Sequence, residues 1–167
     1  MIDFNGNDTE SILKALDELE VTLQSKIVRS GLVSAISPVK KDMKSLAPKK
    51  SGDLAQSINH KSLNKRQKAR LNIDESTVAI LAGPNKKVNG ENVNWRANFI
   101  EGGVKKHFIK AKRKKLKIGG NIVSSEIEHP GIKANPFMEK AISNNEANSV
   151  SLFYQGMAKT LNKIRAQ

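Results

Sequence analysis

Only a few side chains in this sequence have the acid–base or ligand chemistry that a catalytic or metal site needs. The histidines are His60, His107 and His129, too scattered for a recognisable metal spacing. There is no cysteine, which excludes disulfides, thiolate nucleophiles and thiolate ligands. Glu101, Glu126 and Glu128, with His107 and His129, are the acid–base candidates, and no spacing joins them into a nucleophile, base and orienting group. No phosphate-cradling glycine loop, H-E-x-x-H motif or paired-carboxylate signature is present, and Gly102-Gly103 and Gly119-Gly120 read as turns. The reading is therefore non-enzymatic, with no catalytic or metal residue and no cofactor. What remains is cationic chemistry. Lys105, Lys106, Lys110, Lys112, Arg113, Lys114, Lys115 and Lys117 crowd one stretch with no acid among them. Such a run neutralises nucleic-acid phosphates without reading sequence, or meets an acidic protein surface. Its plain alternative is a solvated loop. Phe108 is its single aromatic, which gives little support for stacking on single strands. Arg96, Lys61, Lys65, Arg66, Lys68 and Arg70 strengthen the first reading only if they share its surface.

The elements that must position these groups follow from length and pattern. At 167 residues, one domain spanning 1–167 is expected. Its core should be aliphatic, because aromatics are only 4% of the chain. The formal net charge is +13. Residues 1–20 carry six acids against Lys14 alone, a net of −5, which leaves +18 on the rest. That acidic head could fold back, meet a neighbouring copy, or be a solvated face. The first residues have no basic region followed by an apolar one, and no apolar run approaches the ~18 residues that span a bilayer. Synthesis and retention in a cytoplasm, with no membrane partner, are expected.

Asp8 or Thr9 caps a first amphipathic helix carrying Ile12, Leu16, Leu19, Leu23 and Ile27. Leu32, Ile36, Val39, Met43 and Leu46 continue the stripe, and the five-residue step from Ile27 to Leu32 places a break between Val21 and Gly31. Pro38 should kink the second half. These N-terminal helices occupy 1–46, and their stripe fits a core or a neighbouring copy equally well. Ala47-Pro48 stops the helix, and Gly52 allows a turn. A sheet is expected within 57–124. It comprises a basic hairpin arm at 58–71, a turn at 72–76, a strand at Thr77–Leu81 bounded by Gly83-Pro84, a basic loop at 104–118 and a strand at Asn121–Ser124. Between these strands, Asn94–Glu101 reads as a helix packing Trp95, Phe99 and Ile100. Glu128–Ala134 reads as a loop. Asn135-Pro136 then opens C-terminal helices over 136–164, the first with Phe137, Met138, Ala141 and Ile142, the last with Val150, Phe153, Met157, Leu161 and Ile164.

Four separated stretches together resemble one protein family. Ala47-Pro48, Ser51-Gly52, Leu54 and Ser57-Ile58 are similar to the signature AP-x-x-[ST]-G-x-L-x-x-SI of the small tail-completion, or neck, proteins of long-tailed bacteriophages, minor structural proteins related to lambda gpZ. Ile80-Leu81-Ala82-Gly83-Pro84 is similar to that family's strand ending in V-G-P. Ala97-Asn98-Phe99-Ile100-Glu101-Gly102-Gly103 resembles its Y-A-x-x-V-E-F-G segment, with Arg96 where Tyr is usual and Gly102 where Phe is usual. His129-Pro130-Gly131, Ala134, Pro136-Phe137-Met138 and Ala141 resemble its HPG-x-x-A-x-PF-[ML]-x-x-A ending. Order and rough spacing agree from Leu32 to Ala141.

The resemblance implies an α+β fold, with long N-terminal helices packed on a small, mostly antiparallel sheet and closed by a C-terminal helix. It implies a homo-oligomeric ring, usually a hexamer, in the virion neck. Its neighbours there would be head-closure or connector proteins and a tail terminator or tail tube, with packaged DNA in the lumen. The arm at 58–71 and the loop at 104–118 then become candidates for contacts to the lumen or to partner rings. A free, sequence-nonspecific nucleic-acid-binding protein is the alternative from charge alone, and a tail terminator or other tail component is a third reading.

Overall fold

The computed structural model describes residues 6–110, 117–118, 121–122 and 126–166. The fold is α+β, with antiparallel strand pairs and a long C-terminal helix. Two compact units make it up, one from residues 6–93 with 137–166 and the other from 94–136.

The first unit is built on a helix crossing. α1 (Thr9–Asp17) is capped by the Asp8 carboxylate, which accepts the Ser11 N–H at 3.1 Å. α2 (Val21–Leu46) and α6 (Phe137–Arg165) form the crossing itself. Ile12 and Ala15 of α1, Ile27 of α2, and Met157, Ala158 and Leu161 of α6 form its buried core. Leu16, Leu19, Val28, Phe153, Tyr154 and Ile164 pack around them.

The helical break does not lie between Val21 and Gly31 as the spacing suggested. α1 ends at Asp17, Glu20 is extended, and α2 then runs without interruption through Gly31 and on through Pro38. The five-residue step has another cause. The core position one turn after Ile27 is Gly31, buried under Phe153 and Met157, where a Cβ would lie 2.7 Å from the Phe153 ring. A count of apolar side chains skips that position. The crossing is close on the other side too. A Cβ on Gly156 would lie 2.3 Å from Ser34 Oγ and 2.9 Å from Ser30 O. Polar groups bridge the same place: Ser30 Oγ donates to Gly156 O at 3.2 Å, and Thr160 Oγ1 to Ser30 Oγ at 2.7 Å.

Past α2 come the one-turn helix α3 (Asp53–Ser57), the strand β1 (Ile58–Ser62), the short helix α4 (Lys65–Arg70) and the strand β2 (Ile80–Pro84). β1 and β2 pair antiparallel, from Ile58 opposite Pro84 to Ser62 opposite Ile80. The expected arm at 58–71 is thus half strand and half helix. Asn64 and Gln67 form a reciprocal capping box that favours α4 over an extended arm. The expected strand at Thr77–Leu81 lies three residues later, with Gly83 and Pro84 inside it. α6 is one helix where two were expected, and two of its apolar residues, Ile142 and Val150, are exposed rather than core.

In the second unit, α5 (Asn94–Gly102) buries Ala97 and leaves Trp95 and Phe99 in solvent, not packed as expected. These two rings meet edge to face at 6.0 Å, and the Arg96 guanidinium lies 5.4 Å from the Trp95 ring centre. β3 (His107–Lys110) pairs antiparallel with β6 (Glu126–His129), and the short strands β4 (Lys117–Ile118) and β5 (Asn121–Ile122) pair between them. The expected basic loop therefore begins as a strand, and Glu128-His129 belong to a strand instead of a loop. Among the described residues no helix is long and apolar enough to cross a membrane.

Candidate functional site

The residues singled out by sequence meet in two places. In the first unit, the Ala47–Ile58 stretch meets the end of β2. Ala47 is buried and extended, as the residue before Pro48 must be. Gly52 takes φ 77° to open α3, and Leu54 and Ile58 turn inward and are buried. Ser57 is buried, its hydroxyl donating to Leu54 O at 2.7 Å. Its carbonyl accepts the N–H groups of both Asn85 and Lys86 at 3.0 Å, directly after Gly83-Pro84. Asn85 Nδ2 adds a bond to Asn59 O at 2.8 Å. A buried carbonyl with two donors locks the helix-to-sheet turn onto the strand that follows.

In the second unit, the stretch ending at Glu101-Gly102-Gly103 meets the His129-Pro130-Gly131 turn. Val104 and Ile132 exchange two backbone bonds of 2.8 Å, and Asn135 N–H reaches Ile100 O at 2.7 Å. Gly131 has φ 87°, and a Cβ there would lie 2.3 Å from Val104 O. Gly131 N–H donates to His129 Nδ1 at 3.0 Å. Gly131→Ala should therefore cost about 1–3 kcal/mol locally. Amide exchange would show it as faster exchange at Val104 and Ile132 with unchanged protection in α2 and α6; unchanged exchange at both would refute this account of the turn.

The histidine pair is structural in its bonding. His107 and His129 are opposite each other across β3–β6, with stacked rings 5.0 Å apart. His129 accepts at Nδ1, which places the proton of the neutral ring on Nε2. His107 Nδ1 lies 2.9 Å from Lys105 O, to which it donates. With Nδ1 occupied and Nε2 protonated, neutral His129 has no lone pair left for a metal. Among the described residues no group of three or more His, Asp or Glu could hold one.

Of the eight cations, Lys105, Lys106 and Lys110 are described in full. Lys106 pairs with Glu128 at 2.5 Å and Lys110 with Glu126 at 3.4 Å, so the strand opposite partly neutralises the start of the run. Lys117 belongs to β4, while Lys112, Arg113, Lys114 and Lys115, like Gly119-Gly120 and Ser124, lie outside the described residues. The basics of 61–70 belong to the first unit. Lys65 pairs with Glu75 at 2.8 Å, and Lys68 Nζ donates to Glu75 O at 2.7 Å.

His60 is the one histidine of the first unit. Lys40 Nζ lies 3.1 Å from its Nδ1. Burial, then the charges of Lys40 and Arg29, hold its pKa below the ordinary 6.5. Above that value both folded and unfolded chains carry a neutral ring. As pH falls below it, the unfolded chain takes up the proton first, so stability is lost on the way down to the folded pKa. Urea midpoints measured from pH 7.5 to 5 should therefore fall more steeply for the wild type than for His60→Gln. Parallel slopes would show that the Lys40 contact has no such effect.

Pro136 precedes α6, whose first turn carries Phe137, fully buried, and Met138, half-buried, with Ala141 buried one turn on. Compared with known proteins, the chain matches no protein-family model, no curated protein and no solved structure. One surface went unread in the sequence, an apolar groove beside β2. Ile142, read in the sequence with Phe137, Met138 and Ala141 as core, lines it instead.

Proposed function

We propose that this chain is a structural protein of the bacteriophage neck, which completes the tail end and joins it to the head as a ring of identical copies. It works by contact, not catalysis, and needs no cofactor. It is made in the bacterial cytoplasm and ends in the virion, between head-closure or connector proteins and a tail terminator or tail tube. The supporting observation is that the four family-like stretches bond to one another in pairs. Ser57 holds the residues after Gly83-Pro84, and the residue after Gly103 bridges to the one after Gly131. Proline and glycine scattered by chance have no reason to meet in this way. The partial pairing of Lys106 and Lys110 with acids fits a run whose remaining charge faces a partner ring or passing DNA.

Electron microscopy of particles made with a nonsense mutation in the gene tests the reading. DNA-filled heads beside separate tails of normal length are the expected result. Tails of abnormal length would move the protein to the tail terminator. Normal joined virions would overturn the reading and leave the free nucleic-acid-binding protein, which the charge of +13 favours. That alternative requires DNA affinity in the isolated protein that falls steeply with salt.

A further inference from the structure

Among the described residues the sheet of the first unit has two strands, β1 and β2. In antiparallel pairing, residues that bond the neighbouring strand alternate with residues whose N–H and C=O point away from it. Leu63 N–H reaches Ala79 O, and Asn85 N–H reaches Ser57 O. In the same register Asn59 with Gly83 and Lys61 with Leu81 are the bonded pairs. Ile80 and Ala82 therefore turn their backbone groups to the outer edge of β2, where no described residue takes them up. Beside that edge, between β2, α2 and α6, runs a groove of about 560 Å³. Leu32, Ile36 and Val39 line it from α2, and Ile142 and Glu146 from α6. Ile142 is 53% exposed there. An unpaired edge next to an apolar channel is what an added strand needs: the edge supplies main-chain bonds and the channel takes alternate side chains.

We propose that β3 of a second copy adds to the free edge of β2. β3 is exposed along its whole length, with Phe108 at 59%, and among the described residues it pairs only with β6, so none of them takes up its other edge. A two-stranded ribbon is marginal alone and gains stability from further strands. The lengths match, four residues against five. Charge selects β3 over β6. Lys105 lies beside β3 and complements Glu146 in the groove, with Lys106 and Lys110 adding the charge they do not share with Glu128 and Glu126, whereas β6 itself carries Glu126 and Glu128, which would repel it. Two different surfaces meet in this contact, so it propagates from copy to copy and closes into a ring or continues as a filament. The contact stands on the edge and the groove. It would supply the proposed ring with its subunit joint, and it does not depend on where in a virion that ring sits.

The absence of cysteine makes a clean test possible. Full-length Leu81→Cys and Phe108→Cys, both at exposed positions, are mixed at high concentration and treated with a short bis-maleimide. The expected product is the mixed 81–108 dimer in excess over either homodimer, with wild-type mass in sedimentation rising with concentration. Ala82→Pro removes one outward N–H without touching the β1 ladder, and Ile142→Lys puts a cation in the groove against the lysines of β3. Each should keep its circular dichroism and melting curve and lower the mixed product about tenfold, which for Ala82→Pro is the equivalent of one lost hydrogen bond. A wild type that stays monomeric without mixed product overturns the proposal. So does a dominant 81–81 product, which means that β2 edges meet each other, or, in a chain carrying both Leu81→Cys and Phe108→Cys, a link formed inside single chains. Each of these results leaves the nonsense-mutant phenotype as a separate outcome.

Discussion

Phe137→Ala should lower the free energy of unfolding by about 3–5 kcal/mol. For a chain of this size that is roughly 6–20 °C in melting temperature. Among the described residues Phe137 is the largest side chain with no exposed surface, and Ala141, one turn on, is equally enclosed. Removing the ring leaves a void at the first turn of α6, and neighbours in a close-packed interior collapse only in part. Urea and thermal unfolding of the purified protein check the value. A loss under about 1 kcal/mol would mean that the site repacks freely and that Phe137 is no anchor of the helix start.

Gly156→Leu should cost about 3 kcal/mol, the upper end of ordinary overpacking. Helix propensity argues the other way, favouring a non-glycine residue in mid-helix by up to about 1 kcal/mol. Geometry decides. The first added carbon would already lie 2.3 Å from Ser34 Oγ, 2.7 Å from Ser34 Cβ and 2.9 Å from Ser30 O. The last of these is backbone and cannot rotate aside. Any separation of the helices also breaks the bonds that join Ser30 to Gly156 and Thr160. Gly156→Ala should lose about 1 kcal/mol, and adding Ser34→Gly should recover part of it. A stabilised Gly156→Ala would show that α2 and α6 can part without loss.

The sequence was most readable where one residue type does one physical job. Pro48 stopped α2 where expected, Asp8 capped α1, and Asn72 at φ 53° turned the chain before Asp74 and Ser76. It was least readable where a residue's usual meaning was cancelled by its place. Pro84 suggested a strand already ended. Its position in the register, however, points the missing N–H outward, where no ladder bond is lost. Gly31 interrupts the apolar stripe in sequence and is instead a close contact, where a Cβ would lie 2.7 Å from the Phe153 ring. The two apolar faces, Phe137–Ile142 and Val150–Ile164, suggested two helices where α6 is one. Asn145 in fact holds the helix to its neighbour, donating to Asp42 Oδ2 at 2.8 Å. β6 hides its pairing because Glu-Ile-Glu-His has no β-branched run, and the bonds come from the partner strand. The groove beside β2 was illegible for a further reason: its lining comes from three elements far apart in sequence.

The bond from Thr160 to Ser30 spans 130 residues of chain. During synthesis the core-facing stripe of α2 leaves the ribosome long before the helix that covers it. At about 5–20 residues per second the wait is roughly 6–26 s. For that time the part of the α2 face that Met157, Ala158 and Leu161 cover waits for its partner. The part of the α2 face that α6 covers is thus completed last, by the final segment of the chain.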